Sequence, residues 1–95
     1  MAVAIELTFR GATLDQYDQV LDSMGLAQGG PVPPGALFHW VTKTNDGIRV
    51  TDVWETMEQF DRFAQDEIGP KTRAAGIETE PEIRTFEVHN YLIRV

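Results

Sequence analysis

Two helix-like apolar stripes are interleaved with four strand-like runs, and the order of these periods constrains the fold more than any single motif does. VAIELTF, residues 3–9, sets Val3, Ile5, Leu7 and Phe9 on one face and Ala4, Glu6 and Thr8 on the other, the pattern of a half-buried strand. In TLDQYDQVLDSMG, Thr13 and Gln16 form a capping box, Leu14, Tyr17, Val20, Leu21 and Met24 recur at helical spacing, and Gly25 supplies a stop. A helix is predicted over 14–24. AQGGPVPPG, residues 27–35, is too rich in Gly and Pro for regular structure and reads as a mobile loop.

ALFHWVTKT, NDG and IRVTDVWE then read as a β-hairpin whose turn carries residues that tolerate positive φ. Thr56 and Gln59 repeat the capping box, and Met57, Phe60, Phe63, Ala64 and Ile68 predict a second helix over 57–67. GPKTRAAGIETEP reads as an irregular connection with a short helical turn at 70–75, and EIRTFEVHNYLIRV, residues 82–95, as one long strand. The order is βαββαβ. Right-handed crossovers turn it into an α+β, ferredoxin-like fold: a four-stranded antiparallel sheet with both helices on one face, in a single domain spanning 1–95.

Two helices cover only one face of such a sheet, so the other face should be polar in a monomer. Here both faces carry apolar side chains. ALFHWV sets Leu37, His39 and Val41 against Ala36, Phe38 and Trp40, and the last strand sets Phe86, Val88 and Leu92 against Tyr91, Ile93 and Val95. A chain of this length also buries only a modest core. A homodimer packed sheet to sheet meets both demands, and C2 symmetry is the commonest way to form one.

Composition narrows the function. Fifteen acidic against eight basic residues give a net charge of -7, and the scattered Lys and Arg form no footprint for nucleic acid or an anionic membrane. The absence of cysteine removes thiolate nucleophiles, disulfides and Cys-ligated zinc and fits a reducing compartment. MAVAIELTFRG has neither the basic start of a signal peptide nor the length of a membrane span, so a cytoplasmic protein is expected.

Together with the βαββαβ order, the segments GALFHW, RVTDVWETMEQFDRFAQDEIGP and VHNYL resemble the dimeric α+β barrel superfamily, which includes antibiotic-biosynthesis monooxygenase-like domains. The resemblance covers nearly the whole chain. It implies a dimeric barrel but fixes fold much better than chemistry, since the superfamily holds cofactor-independent oxygenases, polyketide cyclases, haem-degrading enzymes, isomerases and non-enzymatic proteins.

Several side chains carry usable chemistry. His39 could act as a general base near neutral pH, or be a packed, hydrogen-bonded histidine. Asp52 could have its pKa shifted for catalysis, or pair with Arg49 or Lys43. Near the end of the last strand, Tyr91 could donate to a developing oxyanion and His89 could move a proton, or both could sit at an exposed edge or a subunit contact. Phe38, Trp40 and Trp54 could wall an aromatic ligand, or belong to the core. The two histidines lie on different strands without a metal-ligand spacing, and neither a phosphate loop nor a nucleophile elbow is present, so no metal and no other cofactor is expected. Haem has no distinctive signal.

Hairpin register decides whether His39 and Asp52 cooperate, because a slip of one residue exchanges faces. A turn of Asp46 and Gly47 pairs His39 with Trp54 and leaves it diagonal to Asp52 on one face. A three-residue loop of Asn45, Asp46 and Gly47, with Gly47 in αL, puts Phe38 and Trp40 on the face of Asp52 and Trp54 and sends His39 to the other. Apolar segregation favours the second register. The expected function is binding of a small apolar or aromatic molecule between sheet and helices under the 27–35 loop, with cofactor-independent monooxygenation or cyclisation of an aromatic or polyketide-like compound. The alternative is a non-catalytic ligand-binding or interaction protein.

Overall fold

The computed structural model describes residues 1–94. Four strands, β1 (Val3–Arg10), β2 (Ala36–Lys43), β3 (Gly47–Trp54) and β4 (Glu82–Glu87), form one antiparallel sheet in the order β2-β3-β1-β4. The helices α1 (Leu14–Met24), α2 (Met57–Phe63) and α3 (Gly69–Ala74) complete the ferredoxin-like arrangement. Ile5, Leu7 and Phe9 of β1, Ile48, Val50 and Trp54 of β3, Val20 of α1 and Phe60 of α2 form the buried core.

The first helix has the predicted bounds for the predicted reason. Thr13 accepts from the Gln16 N–H at 3.1 Å, the Gln16 side chain accepts from the Thr13 N–H at 3.0 Å, and Gly25 ends the helix in the left-handed region at φ 76°.

The second helical region runs further than expected. After α2, a π-helical turn over Ala64–Ile68 leads straight into α3, so the short helical turn expected at 70–75 occurs but is joined to the second helix without a break. Pro70 explains the widened turn: it has no N–H to donate, and its ring crowds the carbonyl one turn back, which an α-helical turn would hold too close. Gly69 N–H instead reaches back to the Ala64 carbonyl, and Pro70 falls in the first turn of α3.

The last strand is shorter than expected, ending at Glu87; residues 88–94 leave the sheet, with Val88 N–H donating to the Ala2 carbonyl at 3.0 Å. The alternation expected beyond Phe86 therefore does not exist as strand, and Val95 lies outside the described residues.

Neither expected hairpin register occurs. Asn45 and Asp46 form a two-residue turn closed by the Thr44 N–H on the Gly47 carbonyl at 2.8 Å, and none of the turn residues has positive φ. Gly47 is needed for a different reason: a Cβ there would stand 2.1 Å from the Phe9 carbonyl oxygen on β1. The register then pairs His39 directly with Asp52, Trp40 with Thr51 and Val41 with Val50, while an irregularity at Leu37 lets Ala36 pair with Trp54.

On the helix-free face the paired positions form rows. One reads Phe38, Val53, Ala4 and Phe86; the next Trp40, Thr51, Glu6 and Arg84; a third Thr42, Arg49, Thr8 and Glu82. The face grades from apolar to charged, with Phe38 52% and Phe86 44% exposed in this chain. Arg49 lies 3.8 Å from Glu6 and Arg10 lies 3.3 Å from Glu82 at the charged end.

Gly47→Ala is expected to lower stability by about 2 kcal/mol, as overpacking against an immovable backbone does. Urea unfolding checks this, and an unchanged midpoint would show that β1 and β3 can separate at this corner.

Candidate functional site

Asp52 is the buried polar residue of the core, at 4% exposure. A carboxylate there requires donors, since an unpaired buried charge costs several kcal/mol. The fold supplies two. The hairpin register brings His39 Nδ1 to 2.5 Å from Asp52 Oδ1, and Trp54, two residues along β3 on the same face, donates its Nε1–H to Asp52 Oδ2 at 3.2 Å.

A third group arrives from α1. The Tyr17 hydroxyl makes a short hydrogen bond to His39 Nε2, and the two rings lie within 7° of parallel with centroids 5.9 Å apart. Helical spacing explains its direction, because Tyr17 lies one turn from Val20 and Leu21 on the stripe that faces the sheet. The result is a continuous chain, Tyr17–His39–Asp52–Trp54, tying α1 to β2 and β3. No buried side-chain nitrogen or oxygen among the described residues lacks a partner.

This chain borders a cavity of about 800 Å³ between α1 and the β2–β3 side of the sheet, within the usual range of ligand sites, roughly 300–1,000 Å³. Leu7, Phe9, Val50, Trp54, Phe63 and Ile77 give it apolar walls, and Leu26 to Pro33 of the Gly- and Pro-rich loop line one side. Its ionisable lining outside the hydrogen-bonded chain is acidic, Asp18 and Asp22 of α1, with no Lys or Arg. Among the described residues no group of three or more His, Asp or Glu is arranged to hold a metal ion.

The sequence-derived candidates divide clearly. His39, Asp52 and Trp54 come together on the helix side, which overturns the separation of His39 and Asp52 onto opposite faces. The segregation argument failed because it ranked Asp52 as a residue to keep away from histidine, whereas the pair satisfies each other inside. Phe38 and Trp40 border the cavity across the edge strand β2, but alternation puts them on the helix-free face, where their rings contact each other at 5.7 Å. Trp40 is 45% exposed. His89 and Tyr91 lie on the exposed segment after β4 and do not line the cavity. Tyr17 was read only as part of a helical stripe. The signal that could have distinguished it is its hydroxyl, the one polar group in a stripe otherwise made of Leu, Val and Met.

The same βαββαβ architecture occurs in solved structures of known type. A candidate antibiotic biosynthesis monooxygenase from Deinococcus radiodurans aligns at TM-score 0.60 and 16% identity over 100% of this chain and 99% of its own. A monooxygenase of Streptomyces coelicolor, solved with nanaomycin D, aligns at TM-score 0.57 and 17% identity over 99% of this chain and 92% of its own. This chain shares their fold. SnoaB, a cofactor-independent oxygenase of Streptomyces nogalater, aligns equally well, at TM-score 0.57 and 17% identity over 98% and 96% of the two chains. No family profile and no curated protein matches the sequence. Among the described residues no helix is long and apolar enough to cross a membrane.

Burial, followed by the Asp52 and Asp18 charges, pushes the Tyr17 hydroxyl up from 10.0 to about 12. The folded protein therefore holds the Tyr17 proton more tightly than the unfolded chain, so this contribution is full below pH 10.0 and is lost as pH rises toward about 12. Urea unfolding across that window should show falling stability in the wild type and a shallower fall in Tyr17→Phe. Equal slopes would detach Tyr17 from the alkaline transition.

Proposed function

We propose that this chain binds a small, uncharged aromatic or polyketide-like molecule in the helix-side cavity and transforms it as a cofactor-independent monooxygenase or cyclase. The observation that carries the reading is the His39–Asp52 pair, 2.5 Å apart at the wall of an otherwise apolar cavity. A buried carboxylate on Nδ1 orients the imidazole and stabilises the imidazolium that forms when a substrate proton is taken up, which makes His39 the proton acceptor and Asp52 its positioning partner. Trp54 shapes the wall beside them, and the loop over 27–35 is the gate. The fold shared with oxygenases supports this assignment of reaction class.

The closed hydrogen-bond chain also favours a second reading. All its members are satisfied without a ligand, as they would be in a binding protein that uses them only to tie α1 to the sheet. Turnover separates the two. Phenolic and polyketide-like compounds incubated under oxygen without added cofactor should give product with the wild type, and His39→Gln should reduce the rate about 100-fold while the protein stays folded. Binding without product across the panel would leave the non-catalytic reading.

Assembly belongs to the same proposal: a cytoplasmic homodimer formed through the helix-free face. The apolar row of Phe38, Val53, Ala4 and Phe86 supplies area to bury, and Glu6, Arg49, Glu82 and Arg84 supply charges of both signs that two copies can match. Sedimentation should give a dimer at micromolar concentration, and Trp40→Glu should shift it toward monomer. A folded wild-type monomer at that concentration would defeat the assembly.

A further inference from the structure

Both ring nitrogens of His39 are already engaged: Nδ1 with Asp52 and Nε2 with Tyr17. A molecule in the cavity therefore has no free imidazole nitrogen to meet. The direction of the hydrogen bonds follows from Trp54, whose indole N–H can only donate, so Asp52 Oδ2 accepts. Asp52 Oδ1 likewise accepts, which places the neutral imidazole's proton on Nδ1 and leaves Nε2 as an acceptor for the Tyr17 O–H. Tyr17 oxygen is then left with lone pairs of its own, on a side chain that lines the cavity.

We propose that Tyr17 is the catalytic residue that touches the substrate, and that it relays the substrate's proton to His39, so the cavity selects uncharged aromatic molecules bearing an acidic O–H or C–H. The proposal rests on the cavity-binding reading and deepens it. In the step, the substrate X–H bond breaks and its proton bonds to Tyr17 oxygen, while the Tyr17 O–H bond breaks and that proton bonds to His39 Nε2. The X–H electron pair stays on the substrate. The products are a substrate anion, a neutral Tyr17 and an imidazolium held against the Asp52 carboxylate, and no oxidant is consumed. The two transfers occur together because a free phenolate is disfavoured: burial and Asp52 hold the Tyr17 hydroxyl at about 12. Selection for uncharged substrates follows from the lining, where Asp18 and Asp22 repel anions and no Lys or Arg attracts them.

The probe is a nitrobenzisoxazole, an uncharged aromatic that loses one ring proton to a base, breaks its N–O bond and becomes a coloured cyanophenolate. Binding is read by quenching of tryptophan fluorescence and ring opening by absorbance. The wild type should open the bound probe faster than buffer does, Tyr17→Phe should lose about 100-fold in rate with binding retained, and the wild-type rate should fall both when the probe's ring hydrogen is replaced by deuterium and when the solvent is heavy water, because the ring C–H and the exchangeable Tyr17 O–H move together. An unchanged or faster rate in Tyr17→Phe would show that Tyr17 only shields His39, and would overturn the relay. Absence of any slowing of the wild-type rate in heavy water would overturn it equally, and that measurement needs no variant to fold. Binding without ring opening in the wild type would remove the relay and leave the cavity reading standing, whereas absence of binding would remove both.

Discussion

The pairing of β2 with β3 is the constraint on which the rest of the molecule depends. A two-residue turn sets His39 opposite Asp52, and any slip would leave a carboxylate buried beside Trp54 without the imidazole hydrogen bond that satisfies it. The turn is in turn held from outside the hairpin. Gly11 N–H donates to the Asp46 carbonyl at 2.6 Å, and Gly47 lets the Phe9 carbonyl approach where no side chain could fit. Three strands thus cooperate to hold one polar pair in register, and α1 completes the arrangement through Tyr17.

Element order and the buried face of β1 were legible because local signals and tertiary packing agree there. Thr13, Gln16 and Gly25 mark the ends of α1 by hydrogen bonds within a few residues, and Ile5, Leu7 and Phe9 meet a core on one side only. The hairpin register was not legible, because NDG suggests a left-handed glycine and the glycine here serves interstrand contact instead. That need arises on β1, roughly forty residues away in sequence, and no local pattern carries it. The π-turn that joins α2 to α3 was hidden for a similar reason. Pro70 sits in the first turn of α3, and the widened turn before it accommodates its ring.

The site was half legible. His39 and Asp52 stood out as polar residues in apolar runs, but their partnership depended on register, and apolar segregation pointed the wrong way. Phe38 and Trp40 look like core by composition, yet the observed register puts them on the face the helices leave open. Burial of Asp52 and exposure of two large aromatics are consequences of one geometric fact. Tyr17 was the harder case, because an aromatic at helical spacing is indistinguishable from core until the strand opposite it is known.

A satisfied polar chain in a small core would oppose its own use if a substrate had to break its hydrogen bonds and replace them. The geometry avoids that conflict. Asp52 accepts on both oxygens and His39 is engaged at both nitrogens, but a tyrosine hydroxyl that donates one bond still has lone pairs to accept another. A ligand that donates to Tyr17 therefore adds a bond without displacing one. The same hydrogen bonds that hold α1 against the sheet in the free protein can then remain intact in a complex, and stability and ligand recognition draw on one set of contacts without competing for them.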